Sequence, residues 1–368
     1  MSGNDATILQ AMNPLRHKLN WLLIFVPIAV IVEFTNVAGT NKEMALFGST
    51  LLAILPLAGL LGKATEQIAL RTSDTLGALL NATFGNAIEL IIATLALYAG
   101  LLEVVKASIV GSILGNILLV LGLSLFVGGI KHKEQKFNRE AASTNATLLT
   151  LAVLAMIIPT TMVIAGNFSG ENSGNVLQLS QYSAILLLLV YASFLFYQFK
   201  THEHLYISGV HHDEEPSMSK GQAFGLLCLS TLIVAFMAEM LVSTIEHVAS
   251  HSPISEIFIG IILIPLVGNA AEHSSAITVA YNNKMDLSLG IAVGSSTQIA
   301  LFVAPLLVLL GWFTGQPLTL DFGLFATTIT FVSILIVNSV SRDGRSDWLE
   351  GLMLLTTYAI VAIAYWGM

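Results

Sequence analysis

The sequence predicts an all-α polytopic membrane protein of about 11 transmembrane helices, one N-terminal helix followed by two inverted five-helix repeats. Three observations carry this. The 368 residues are 55% hydrophobic and only 10% charged, with a mean hydropathy of +0.80, whereas soluble domains carry about 25% charge. The apolar runs are long and continuous, unlike the alternating segments of about ten residues in an outer-membrane barrel. A stretch of the first half also reappears, without gaps, in the second.

A helix that crosses the hydrocarbon core needs about 20 mostly apolar residues. That ruler places spans at 20–34, 44–62, 76–100, 104–130, 143–166, 179–199, 222–245, 254–280, 286–311, 318–340 and 347–367. The resulting organisation is an N-terminus and first helix over 1–43, a first repeat over 44–199, a loop over 200–221 and a second repeat over 222–368. The loop is rich in His and acid, with His202, His204, His211, His212, Asp213, Glu214 and Glu215. Met1–Asn20 is polar and shows no cleavable signal. A single cysteine, Cys228, excludes a disulfide scaffold. With Lys+Arg 15 against Asp+Glu 23, a nucleic-acid partner is not expected.

The cationic residues orient the chain. With the N-terminus in the cytoplasm, the segments on that side hold Arg16, Lys18, Lys63, Arg71, Lys131, Lys133, Lys136, Arg139, Lys200, Lys220, Lys284, Arg342 and Arg345, and the opposite side only Lys42 and Lys106. A multi-pass membrane protein is therefore expected, its C-terminus non-cytoplasmic.

Shifting 76–118 by 183 residues lays it on 259–301. Identities include Gly85/Gly268, Asn86/Asn269, Ala87/Ala270, Glu89/Glu272, Gly111/Gly294 and Ser112/Ser295. Five spans per half is an odd number, so the halves enter the membrane in opposite senses. Inverted repeats of this kind mark transporters, with the binding site near the midplane where the halves meet.

Glu89 and Glu272 fall mid-span, where a carboxylate costs a few kcal/mol unless it is paired, protonated or bound to a cation. Their recurrence at equivalent positions aims both at one central point. Gly85-Asn86 and Gly268-Asn269 precede each Glu by three to four positions, so Asn and Glu share one face of a continuous helix. Pro265 removes an amide donor and frees a carbonyl in the second copy, where the first has Ala82. Carboxylate, amide and carbonyl oxygens are the ligand set of a hard divalent cation, Ca²⁺ above all. Ser112, Ser295, Asn116 and Gln298 in the next span of each repeat can add oxygens, although the shift pairs Gln298 with Gly115 rather than Asn116.

Gly85-Asn-Ala-Ile-Glu89 and Gly268-Asn-Ala-Ala-Glu-His273 resemble the two repeat motifs of the calcium/proton exchangers (CAX), a branch of the cation/calcium exchanger superfamily. The resemblance covers essentially the whole chain. It implies that Glu89 and Glu272 bind Ca²⁺ and exchange it for protons, with help from Asn86, Asn269 and Gln298. Sodium/calcium exchangers of the same superfamily show a hydroxyl-rich Gly-Thr-Ser-x-Pro-Glu/Asp motif, absent here. The acidic inter-helix loop of eukaryotic members is replaced by a short His-rich one, and the long N-terminal extension of vacuolar members is missing, a family form that implies the plasma (inner) membrane.

These readings imply an antiporter that exports Ca²⁺ from the cytoplasm in exchange for H⁺, not an enzyme and without a cofactor. Its partners are Ca²⁺, protons and the lipid bilayer, and self-association as a homo-oligomer is left open. Glu239, Glu66 and Glu246 are candidates for an access path, and His273, adjoining Glu272, for a proton relay. A sodium-driven or Mn²⁺-selective exchanger is the nearest alternative. A passive channel is a more distant one, because channels build rings from identical subunits. An intramembrane enzyme finds no His-Glu-x-x-His, Gly-x-Ser-x-Gly or P-loop in the chain.

Overall fold

The computed structural model describes residues 18–35, 37–72, 74–166, 173–206 and 216–367. The N-terminal charge Arg16 and the loop segment His211–Glu215 lie outside the described residues. After Leu19–Phe34 (α1), the first repeat comprises Lys42–Ala69 (α2), Asp74–Phe84 (α3), Ala87–Tyr98 (α4), Leu102–Lys131 (α5), Arg139–Ala165 (α6) and Gly174–Thr201 (α7). The second comprises Lys220–His251 (α8), Glu256–Gly268 (α9), Ala270–Tyr281 (α10), Met285–Thr314 (α11), Leu324–Val340 (α12) and Trp348–Trp366 (α13).

Among the described residues, seven helices are long and apolar enough to cross a membrane alone, and eight if α9 and α10 count as one span. The expectation of 11 exceeds this for physical reasons. α1 and α12 are apolar but short. The runs expected as continuous at 76–100 and 254–280 are each two helices, the second pair bent by 59°.

The inversion of the repeats is visible in which helix ends meet. Under the repeat shift α2 corresponds to α8, and the two lie antiparallel. Gln67 Oε1, near the end of α2, accepts from the Met218 amide and Ser217 hydroxyl just before α8 begins, at 3.1 and 3.2 Å. Glu43, at the start of α2, lies 3.9 Å from His247 near the end of α8. α5 and α11 are related in the same way. The C-terminal end of α5 and the loop beyond it meet the end of α10 and the start of α11: Lys131 Nζ sits 3.6 Å over the Tyr281 ring, Gln135 donates to the Ala280 carbonyl at 2.8 Å, and the Asn138 amide donates to Asp286 in the first turn of α11. A short ribbon, Gln135–Lys136 (β1) against Arg345–Ser346 (β2), ties the same loop to the start of α13.

α5 and α11 form the centre. Ile113, Leu114, Ile117 and Leu118 of α5 and Leu301, Ala304 and Leu307 of α11 are fully buried. Both helices widen into a π turn at equivalent places, Gly115–Val120 and Ile299–Val303, and such turns are rare and often mark functional segments. Ser296 donates to the Ile113 carbonyl at 3.3 Å. These residues are equivalent under the repeat, so the pseudo-two-fold axis passes between them.

The symmetry is not complete. Gly111 of α5 lies directly against the backbone of Ile261 in α9, and Gly260 of α9 against Ala107. Ile261 is the residue whose carbonyl Pro265 leaves without its helical donor. Gly294, the repeat mate of Gly111, has nothing within 4 Å of where its Cβ would be. The second broken pair is thus packed onto the first repeat, without a counterpart at Gly294. Gly111→Ala is expected to destabilise the protein by about 1–3 kcal/mol through overpacking, and Gly294→Ala to leave stability unchanged. Thermal unfolding of the two variants in detergent checks this, and equal melting shifts would contradict the asymmetry.

Candidate ion-binding site

The breaks in the helices are where the site is made. α3 stops at Phe84 and α4 starts at Ala87, with Asn86 at φ −99°, ψ 20° between them. α9 stops at Gly268 and α10 starts at Ala270, with Asn269 at φ −93°, ψ 6°. Both asparagines occupy the bridge region of backbone space, sparsely populated and common in active sites. Each carbonyl then opens the next helix, accepting from Leu90 at 3.0 Å and from His273 at 2.9 Å.

This corrects the expectation of an Asn and a Glu on one face of a continuous helix. Glu89 and Glu272 instead stand in the first turn of a new half-helix. The unpaired N–H groups and the positive end of the macrodipole there favour an anion.

The two motifs cross. A Cβ on Gly268 would lie 3.2 Å from Glu89 Oε1, and a Cβ on Gly85 would lie 3.0 Å from Glu272 Oε1. Each carboxylate therefore rests against the glycine of the opposite repeat, the reciprocal contact a two-fold interface requires. The two carboxylates are close enough to interact. Around them Asn86 Nδ2 donates to Gln298 Oε1 at 2.7 Å, and the Ser295 hydroxyl donates to Asn86 Oδ1 at 3.1 Å.

The mirror-image set is unsatisfied. Both oxygens of Glu89, Oε2 of Glu272, both side-chain polar atoms of Asn269, Asn116 Nδ2 and Ser112 Oγ are buried without a hydrogen-bond partner. Each such group costs about 1–3 kcal/mol, and native structures keep few of them. Seven such atoms lie together here, on the two broken pairs and the helices beside them. Carboxylate and amide oxygens left open in one place suit a hard cation or protons.

A cavity of about 1060 Å³ reaches this point from one side. Its wall includes Gly85, Gly268, Glu272, Ser295 and Gln298, and its outer part Lys63, Asn138 and Asp286. Glu89 is buried behind Glu272 and is not on the wall. Of the access-path candidates, Glu66 lines the cavity, whereas Glu239 and Glu246 are exposed on α8 and away from it. His273 also lies off the wall, its Nε2 buried and without a partner.

Sequence reasoning missed Asn81 and Asn145, both on the wall. Asn81 has no polar repeat mate, because the shift pairs it with Ile264. Asn145 carried a usable signal, as the one Asn in the apolar run 143–166. It is buried with Oδ1 unpartnered.

Two inverted repeats, each with a helix broken at Asn and a carboxylate on the following turn, define a membrane ion-exchanger fold. The family model described as sodium/calcium exchanger protein matches residues 42–200 and 222–367. The chain belongs to this family. A Ca(2+)/H(+) antiporter of Aphanothece halophytica is 44% identical over 359 residues, covering 94% of this chain and 95% of the relative. A vacuolar calcium ion transporter of Schizosaccharomyces pombe is 43% identical over 351 residues, covering 94% and 84%. The solved structure of native YfkE superposes with a TM-score of 0.81 at 39% identity, covering 95% of this chain and 100% of that one.

The inequality of the two sets is open to labelling. In a Cys228→Ser background, Gln298→Cys is expected to react quickly with a membrane-impermeant thiol reagent applied from the cavity side. Asn116→Cys, on the buried side, is expected to stay protected. Equal labelling rates would contradict the geometry.

Proposed function

We propose that this chain is a secondary active antiporter that exports Ca²⁺ from the cytoplasm in exchange for H⁺. The observation that carries the reading is the crossed pair of carboxylates, three of whose four oxygens are buried without a hydrogen-bond partner. Two carboxylates at low dielectric repel, and each is costly to desolvate. One Ca²⁺ offsets both charges, and so do two protons. The empty, doubly ionised pair is the unfavourable occupant of the closed molecule, and this couples the two fluxes. The relatives named Ca(2+)/H(+) antiporter and vacuolar calcium ion transporter support the same cargo.

Glu89 and Glu272 are the shared Ca²⁺ and proton ligands in this reading. Asn86, Asn269, Gln298 and Asn116 supply amide oxygens, and Ser112 and Ser295 hydroxyls. Gly85 and Gly268 give the opposite carboxylate room. The cavity opens among Lys63, Asn138 and Asp286, which lie in segments on the Lys- and Arg-rich side, so it faces the cytoplasm by the positive-inside rule. The membrane is the plasma membrane, with the N-terminus inside. Exchange of the packed and open roles between the two broken pairs closes this cavity and opens its mirror image, which is alternating access.

Reconstituted vesicles with an imposed pH gradient are expected to accumulate radiolabelled Ca²⁺, and a Na⁺ gradient in its place to drive no uptake. Glu89→Gln and Glu272→Gln are each expected to abolish uptake while leaving the protein folded. Retained transport in either variant would sink the assignment.

The sign of the pH dependence follows from shared ligands. Metal binding releases protons, so affinity rises with pH. If two protons leave together, the apparent Ca²⁺ affinity weakens by about a hundredfold per unit of acidification. Calorimetric titration at several pH values reads this slope, and a pH-independent affinity would exclude carboxylates as common ligands.

A further inference from the structure

A second, smaller cavity lies between α6 and α12, with a volume of about 250 Å³. Arg139 and Arg342 flank it, and Ser143, Thr147 and Asn338 line it. Among the described residues neither guanidinium takes part in an ion pair, although Arg345 on the same face pairs with Glu134 at 3.2 Å. The acidic sequence neighbours, Glu140 and Asp343, are exposed and not on its wall. Asn338 donates to Thr150 at 3.4 Å, while its Oδ1 is buried without a partner. The Thr147 hydroxyl is committed to the Ser143 carbonyl at 2.9 Å, so the pocket offers two unpaired cations, the Ser143 hydroxyl and one open acceptor.

The surface beneath it is apolar. α6 and α12 pack antiparallel, joined by Thr160 and Thr327 at 3.2 Å towards one end and by Asn338 and Thr150 towards the other. Ser143, Thr147, Leu151 and Leu154 follow one another at three- or four-residue steps along one stripe of α6. Leu335 of α12 stands one turn from Asn338, and Val332 further along. All four apolar side chains in this strip are exposed. The seam therefore carries a cationic, polar head over a hydrocarbon-facing track.

We propose that this seam binds one anionic phospholipid, the phosphate between Arg139 and Arg342 and the acyl chains along Leu151, Leu154, Val332 and Leu335. Basic pockets between helices on the cytoplasmic side take phosphate headgroups in this manner. Paired guanidinium groups match phosphate geometry. The open Asn338 acceptor favours a headgroup that also carries a hydroxyl donor, such as phosphatidylglycerol. Ala142, Ala146 and Ser341 line both this pocket and the large cavity, so the lipid sits beside the wall of the ion path.

Native mass spectrometry of the full chain, titrated with phosphatidylglycerol or phosphatidylcholine, tests this. Wild type is expected to retain phosphatidylglycerol and not phosphatidylcholine. Arg139→Gln/Arg342→Gln is expected to weaken retention by about tenfold or more. Lys133→Gln/Lys136→Gln removes the same charge from the same face and is expected to keep it. Ser143→Phe keeps both arginines, fills the pocket from an exposed position that spares the core, and is expected to lose the lipid. Equal loss in the two double variants, equal retention of both lipids, or retention by Ser143→Phe would overturn the proposal. Displacement by millimolar inorganic phosphate would assign the pocket to a free anion and overturn it as well.

Discussion

Two carboxylates buried against each other in a lipid-embedded protein are the constraint on which the architecture depends. Glu89 and Glu272 are too costly to leave ionised and alone at membrane depth. The fold answers with half-helices. Breaking α3–α4 at Asn86 and α9–α10 at Asn269 sets each carboxylate in the first turn of a new helix. The same breaks expose backbone groups and place glycine where the opposite acid must fit. Irregular backbone is tolerated at membrane depth where protein or a water-filled cavity surrounds it. Here α5 and α11 are the surrounding protein.

Those two helices explain how a site of half-helices keeps its geometry. Their facing surfaces are fully buried aliphatic side chains, and the Ser296–Ile113 hydrogen bond sits on the repeat axis. A packed core is bistable rather than continuously deformable. The scaffold is buried throughout its facing surfaces, while the two broken pairs are packed unequally. α9 meets α5 so closely that Gly111 tolerates no side chain, whereas Gly294 faces open space. One sequence pattern, repeated, is therefore held in two packings at once. The polar network follows suit, made at Asn86–Ser295–Gln298 and unmade at Asn269, Ser112 and Asn116.

Much of this was legible in the sequence because it depends on identity and spacing. The repeat exposed the Gly-Asn-Ala-x-Glu pair, and an odd number of spans per half implied inversion. The antiparallel pairing of α2 with α8 meets that expectation. The helix breaks were not legible, since apolar residues run through 76–100 and 254–280 without a gap. A window measuring hydropathy does not register a bend made by Asn in the bridge region. The inequality of the halves was equally hidden, because identical motifs say nothing about which packing each adopts. Asn81 stayed out of view for a related reason: its repeat mate is Ile264, so symmetry gave it no weight.

The placement of Gln298 shows how the departure from symmetry serves the site. Its repeat mate is Gly115, at the start of the π turn in α5, while Gln298 immediately precedes the π turn in α11. Only the second repeat thus carries an amide at this point, and it reaches across to Asn86 of the first. Asn116, one residue on, is buried with its amide nitrogen unmatched. A perfectly duplicated site would present the same ligands to both carboxylates and give them equal surroundings. With Gln298 on one side and Asn116 on the other, Glu272 meets the cavity beside a satisfied amide network, and Glu89 is enclosed among open groups. Two copies of one motif thus hold chemically unequal surroundings, one acid on the cavity wall and the other enclosed within the protein.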